Sequence, residues 1–97
     1  MNLVSVIMNC YNGEKYLRES LDSLIKQTHK NWELIFWDNV SFDNSKKILL
    51  SYRDSRINYF QADKHGTLGD GRSQAILKAK GDFIAFLDTD DIWYPNR

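Results

Sequence analysis

Apolar residues along this chain fall in short runs divided by polar, turn-forming segments, and their spacing changes from run to run. Val4 to Met8 is a compact apolar run with β-branched residues and reads as a first strand. Leu17, Leu21, Leu24 and Ile25 then recur at i, i+4, i+7 and i+8, a single helical stripe. Asn12 is placed to cap that helix, and Glu14 suits the positive end of its dipole. Glu33 to Trp37 is a second strand ending at Asp38. Ser41 to Ser45 supplies turn and cap residues, after which Ile48, Leu49 and Tyr52 mark a second helix. Ile57 to Phe60 is a short third strand. His65 to Gly71 is too glycine-rich to be regular structure. Arg72, Ala75, Ile76 and Ala79 repeat with helical spacing, Lys78 and Lys80 occupy the last turn, and Gly81 is a natural stop.

Phe83 to Leu87 is a fourth strand, apolar without alternation. Such a strand is expected to be buried on both faces, as parallel strands are when helices cover both sides of a sheet. Strand and helix therefore alternate from end to end, which predicts a doubly wound α/β fold with a mainly parallel sheet. Pro95, the single proline, is positioned to open another helix at its first turn. Residues 1–97 thus read as one incomplete domain, truncated where a new element begins.

Composition narrows the function. The apolar fraction of 42% and the charged fraction of 27% are those of a soluble globular protein, not of a disordered one. Thirteen basic residues balance thirteen acidic ones without a basic stripe. Nucleic acid is therefore excluded as a main partner. The single Cys10 rules out an internal disulfide framework and a cysteine-built zinc site. It reads as a small apolar residue near a strand end. The apolar N-terminus is too short for a signal peptide, and no stretch approaches a membrane span, so the expected location is cytoplasmic.

In open parallel sheets ligands bind beyond the carboxyl ends of the strands. The residues expected there are Asn9, Cys10, Tyr11 and Asn12 after strand one, Asp38 and Asn39 after strand two, and Asp88, Thr89, Asp90 and Asp91 after strand four. Asp88 and Asp90 point the same way on an extended segment, and paired carboxylates beside phosphate suit a hard divalent cation, Mg²⁺ or Mn²⁺. The plainer alternative is an acidic loop capping a following helix. Tyr11 can stack on a nucleobase or merely cover the sheet edge. Asp38 or Asn39 can accept from a base edge or cap a turn. Arg72 can bind a diphosphate or remain a solvated surface arginine. His29 and His65 lack ligand spacing and read as surface residues. Neither G-x-G-x-x-G nor G-x-x-x-x-G-K-[ST] occurs, so dinucleotide and P-loop sites are not expected.

The run Val4–Asn12, followed by Tyr16–Leu17, Ser20–Leu21, Ser23–Leu24 and Gln27–Thr28, resembles the opening of glycosyltransferase family 2. So do Trp32–Ile35, Asp38 with Ser41 and Asp43, the stretch Gly81–Asp91, and Trp93 with Pro95. The resemblance covers essentially the whole chain. It implies a Rossmann-like GT-A half with strand order 3-2-1-4, helices on both faces, and transfer of a sugar from UDP or another nucleoside diphosphate to a saccharide or lipid-linked acceptor. By that likeness Asn9, Tyr11, Asp38, Asn39, Arg72 and Asp88 bind the nucleotide sugar, and Asp88, Asp90 and Asp91 hold the metal. The implied reaction is inverting displacement, the metal stabilising the diphosphate and a base beyond Arg97 deprotonating the acceptor. Such a protein would act in cell-surface polysaccharide synthesis, in the cytoplasm or at the inner membrane face. The fragment alone is expected to be inactive.

The sequence departs from that pattern where Asn9 and Cys10 replace a usual Pro-Thr pair and where Asn39 replaces a common acid. Three other readings stay open at this stage. They are a receiver-like signalling module, a nucleotidyltransferase, and a non-catalytic fragment that self-associates through an exposed sheet edge.

Overall fold

In the computed structural model of the protein, which describes residues 2–94, strand and helix alternate without exception. The order is β1 (Val4–Cys10), α1 (Glu14–Ile25), β2 (Trp32–Asp38), α2 (Ser45–Leu50), β3 (Ile57–Gln61), α3 (Leu68–Lys78) and β4 (Phe83–Phe86). The sheet has the order β3-β2-β1-β4, and β1 pairs parallel with both β2 and β4, as β2 does with β3. Both the alternation and the implied strand order are therefore observed. The expected helix at Pro95 lies outside the described residues.

Side-chain alternation along β1 divides the core in two. Val6, Met8 and Cys10 join Leu17, Leu21 and Leu24 of α1, Leu34 and Phe36 of β2, and Leu49 of α2 on one face. Ile7 joins Ile35 and Ala75 of α3 on the other. The α1 stripe is the one its spacing predicts, and burying each of its leucines contributes about 1.5–3 kcal/mol. The Tyr52 hydroxyl, just past α2, donates to Asp22 Oδ1 at 2.7 Å and ties that helix to α1. No helix among the described residues is long and apolar enough to cross a membrane.

Four local expectations are corrected. β1 runs on to Cys10 because Asn9 and Cys10 keep their ladder partners Trp37 and Asp38, so neither residue lies past the strand. Asn12 does not cap α1. Its φ of 53° places it in the left-handed region, which asparagine tolerates, and its Oδ1 accepts instead from Phe42 N–H at 2.9 Å. α3 starts at Leu68, inside the segment whose glycines argue against helix. The Thr67 hydroxyl accepts from Asp70 N–H at 3.1 Å, and such a cap, about 1 kcal/mol, offsets much of the cost of a helical glycine, also about 1 kcal/mol.

The fourth correction concerns β4, which is not buried on both faces. It is the outer strand of the sheet among the described residues, with Phe83, Ile84 and Phe86 exposed by 56%, 44% and 45%. Its apolar composition nevertheless carries the chain into buried Leu87 and so to the acidic segment beyond.

Gly81 acts through close approach rather than as a left-handed helix stop. A Cβ there would lie 2.6 Å from Ser5 Oγ and 2.7 Å from the Leu3 carbonyl oxygen, while its N–H donates to Ser5 Oγ at 2.8 Å. Backbone cannot swing aside as a flexible side chain can. Gly81→Ala is expected to destabilise the protein by about 1–3 kcal/mol, read as a lowered urea midpoint with unchanged slope. A midpoint equal to the wild type would contradict this contact.

Candidate functional site

Because the strands run parallel, Cys10, Asp38 and Phe86 end at one edge, and the loops that follow them meet there. The loops after β1 and β2 are sewn together by short bonds. Asn12 N–H donates to Ser41 Oγ at 2.9 Å, Gly13 N–H to Ser45 Oγ at 3.0 Å, and Glu14 N–H to Asp43 Oδ2 at 3.1 Å. Asp43 Oδ1 also accepts from Ser45 N–H at 2.9 Å. Burial opposes ionisation of Asp43, but the donors from Ser45 and Glu14 outweigh it and hold the carboxyl below its usual range.

Asp38 turns inward and is 2% exposed. Its Oδ1 accepts from Ser41 N–H at 2.9 Å and its Oδ2 from the Tyr59 hydroxyl at 2.6 Å. Burial and then Asp38 push the Tyr59 phenol well above its ordinary value. Neighbouring Cys10 is buried and outside any disulfide, its sulfur 3.9 Å from Ser41 Oγ, and burial raises its thiol pKa, which fits the inert, packed residue expected from its position.

Asn39 is also buried, at 6% exposure. Its Oδ1 accepts from Gly66 N–H and its Nδ2 donates to the Gly66 carbonyl, both at 2.8 Å. That pairing draws the 63–67 loop over the rim and sets the His65 ring 4.3 Å from Tyr11, tilted by 55°. Phe42 meets Tyr11 edge-on from 6.1 Å. Tyr11 itself remains 47% exposed. Beside His65, the one of these rings that lines it, a cleft of about 520 Å³ opens, lined also by Asn39, Gly66, Gly71, Trp37 and Phe60 among others. That volume is in the range of small-molecule sites.

The other end of the rim is acidic. Ligand oxygens of Asp88, Asp90 and Asp91 all lie within 4.8 Å of one another, and Arg72 Nη2 donates to Asp88 Oδ1 at 3.2 Å. The Arg72 guanidinium also lies over the Phe86 ring at 5.2 Å. The acidic turn is stapled from below by α1, where buried Ser20 donates to the Thr89 carbonyl at 2.7 Å with the Asp88 and Asp91 carbonyls converging on the same hydroxyl. Gly13 completes the contact, since a Cβ there would meet Thr89 Oγ1 at 2.9 Å. The Tyr11 loop and the acidic loop therefore touch at a single edge.

Asn9 lies beneath the first turn of α3. Its Nδ2 donates to the Leu68 carbonyl at 3.3 Å, its buried Oδ1 has no hydrogen-bond partner, and a Cβ on Gly71 would fall 2.6 Å from Nδ2. The structure thus gathers Tyr11 with Asn39, and Arg72 with the three acids, while Asp38 faces the interior and Asn9 supports the helix that carries Arg72. Sequence reasoning leaves out His65, Ser20, Gly13 and Gly71. Nothing local in the sequence singles out His65 or Ser20, because the partners of each lie far along the chain.

This edge can be set against known proteins. The sequence profile of Glycosyl transferase family 2 matches residues 5–97. The chain belongs to glycosyltransferase family 2. That membership removes the receiver-like and nucleotidyltransferase alternatives. Among its relatives, an Escherichia coli protein named UDP-Glc:alpha-D-GlcNAc-diphosphoundecaprenol beta-1,3-glucosyltransferase WfgD is 43% identical over 95 residues, 98% of this chain and 38% of that one. The Bacillus subtilis putative teichuronic acid biosynthesis glycosyltransferase TuaG is 37% identical over 97 residues, with the same two coverages. The crystal structure of S. aureus TarS 1-349 in complex with UDP-GlcNAc superposes with a TM-score of 0.90 at 34% identity, over 98% of this chain and 28% of that one. The chain thus spans well under half the length of these family 2 relatives.

Within this family 2 chain Asp43 joins the starts of α1 and α2 at the rim, and its role gives a pH signature. A carboxyl whose folded pKa lies below its unfolded value contributes fully above the unfolded value, about 3.9, and loses that contribution as pH falls from there through the lower, folded value. Asp43→Ala is expected to cost about 0.5–2 kcal/mol near neutral pH, as a lost helix cap does, with the gap to wild type closing below about pH 4. Urea denaturation from pH 3 to 7 checks this, and a gap independent of pH would contradict it.

Proposed function

We propose that this chain forms the donor-binding part of a glycosyltransferase that takes its sugar from a nucleoside diphosphate, UDP in the first instance. The observation that carries this reading is the single edge at which the aromatic pair Tyr11–His65, the cation Arg72 and the trio Asp88, Asp90 and Asp91 meet. The base, the diphosphate and the cation that neutralises it each have a chemically matched group here.

The roles follow from the geometry. The rings of Tyr11 and His65 offer a stacking surface for the base, worth about 1–3 kcal/mol in comparable aromatic contacts. Arg72 now leans on Asp88, but both side chains are substantially exposed, at 37% and 49%. An exposed ion pair contributes about 0–1 kcal/mol, so Arg72 can give up Asp88 for phosphate oxygens at little cost. The family implies a divalent metal, and the acids fit one. They are all oxygen donors, close enough to share a cation, and open to water and phosphate on their outer side, as Mg²⁺ and Mn²⁺ require. Asp88, Asp90 and Asp91 would hold it, and its chemistry there is to stabilise charge on the leaving diphosphate.

The relatives bear on the wider reaction. WfgD is named for a UDP-glucose donor and a diphosphoundecaprenol-linked acceptor, TuaG for teichuronic acid biosynthesis, and TarS is seen with UDP-GlcNAc. By analogy we place the whole protein in cell-surface polysaccharide synthesis, acting on a saccharide or lipid-linked acceptor from the cytoplasmic side of the membrane.

Calorimetric titration of UDP and UDP-sugars, with and without Mn²⁺, tests the donor reading. Wild type is expected to bind UDP more tightly with the metal, and Asp90→Ala to lose at least about tenfold in affinity, roughly 1.4 kcal/mol. Equal binding with and without metal would remove the metal from the site, and no binding at all would remove the nucleotide.

A further inference from the structure

We infer that Asn39 does not read the nucleobase but latches the 65–66 turn, so that His65 and Tyr11 together form the surface on which the base lies. This inference rests on the donor-site reading above and assigns who touches the base within it.

The side-chain amide of Asn39 has one acceptor and one donor face, and both are engaged by the backbone of one residue. Oδ1 accepts from Gly66 N–H and Nδ2 donates to the Gly66 carbonyl, each at 2.8 Å. That pairing also fixes which amide atom is oxygen, since only one orientation satisfies both bonds. The main chain adds a third link, with His65 Nδ1 at 3.2 Å from the Asn39 carbonyl oxygen. At 6% exposure the amide has little edge left to offer a ligand. A base could reach only the one lone pair and the one N–H that remain, and in a residue this buried they are almost wholly covered.

The turn bearing Asn39 is itself held in place. Asn39 N–H donates to the Cys10 carbonyl at 2.8 Å, and Ser41 N–H to Asp38 Oδ1 at 2.9 Å. Between them Val40 sits at a φ of 60°, a conformation that a β-branched residue adopts only when its surroundings over-determine it. A rigid β2 turn, clamped to Gly66, leaves little freedom in where His65 stands. His65 is exposed, and its ring meets that of Tyr11, which is 47% exposed. These two rings therefore form one accessible π-surface, which Phe42, itself 82% exposed, flanks edge-on at Tyr11.

A carboxylate at position 39 separates the two roles by sign. If residue 39 reads the base directly, Asn39→Asp should tighten UDP binding, because a charged acceptor bonds the uracil imide N–H more strongly than an amide oxygen does. If it is a latch, the same change faces a carboxylate with the Gly66 carbonyl, opens the turn, and weakens UDP. The experiment measures three quantities on the wild-type chain, Asn39→Asp, Asn39→Ala, His65→Ala and His65→Phe. They are UDP affinity by calorimetry, Gly66 amide exchange by NMR, and Mn²⁺ affinity without nucleotide by electron paramagnetic resonance.

The latch predicts that both Asn39 variants lose about tenfold in UDP affinity and expose Gly66 to exchange. His65→Ala should lose about five- to tenfold, and His65→Phe, which keeps a ring, should stay within about twofold of wild type. Mn²⁺ affinity should be unchanged in all four, since general unfolding would move it and a displaced base surface would not. Tighter UDP binding by Asn39→Asp with Gly66 still protected overturns the inference, as does full affinity in His65→Ala. Absence of UDP binding by wild type would instead sink the donor-site reading, and exchange at Gly66 would then decide the latch by itself.

Discussion

Parallel pairing on both sides of β1 is the constraint from which the site follows. With β2 and β4 hydrogen-bonded to the same strand in the same direction, every strand must deliver its polar continuation to one edge, and each return crossover must run through a helix. The chain obeys by ending its apolar runs in Cys10, Asp38 and Leu87 and placing tyrosine, asparagine and aspartate just beyond. The edge is then closed by backbone proximity. Gly13 against Thr89 and Gly71 against Asn9 are points where a side chain would hold the elements apart. Two loops and one helix can therefore converge at one edge.

Gathering three carboxylates at such an edge carries a cost, and the structure manages it from two directions. Arg72 supplies one positive charge to Asp88, and solvent reaches the outer side of Asp90 and Asp91, which are exposed. The backbone beneath is fixed separately, by the buried Ser20 hydroxyl and by the turn from Asp91 N–H to the Asp88 carbonyl at 3.0 Å. Charge and shape are thus controlled by different residues. Ser20 and Gly13 can hold the acids in position whether or not Arg72 is engaged with them.

Much of this was legible in the sequence, and what was not shares one physical reason. The Leu17–Ile25 stripe, the apolar runs and the acidic cluster are local signals, since periodicity and spacing report on the element that carries them. The strand alternation likewise foreshadows the parallel sheet. His65 is at the surface as its lack of ligand spacing suggests, but its pairing with Tyr11 is hidden in the sequence, and the cap expected of Asn12 fails because its side chain is taken by Phe42, thirty residues on. The sequence places the start of α3 too late because glycine propensity alone omits the Thr67 cap and the Asn9 contact below Gly71. β4 was expected to be covered because a continuous apolar run states a preference for burial, while coverage depends on what packs against it. For Asp38 and Asn39 the residue types suggested polar contacts correctly, but only the fold shows that those contacts are with Tyr59, Ser41 and Gly66.

The two ends of the edge therefore differ in stiffness, and the difference suits a nucleotide-sugar donor. At the aromatic end the loops are joined by at least six short bonds among residues 12–14, 38–45 and 65–66, with a strained Val40 between them. A surface organised in advance needs little ordering when a flat base arrives, so stacking energy is kept as affinity. At the acidic end the fixed part is backbone, while Arg72 and the carboxylates keep water-exposed heads and a pairing that contributes at most about 1 kcal/mol. On the function proposed above these groups rearrange around a cation and two phosphates, and groups that rearrange are better held loosely than locked. A rigid aromatic end combined with an adjustable charged end is the arrangement that a parallel edge, stapled by Ser20 and Asn39, makes available.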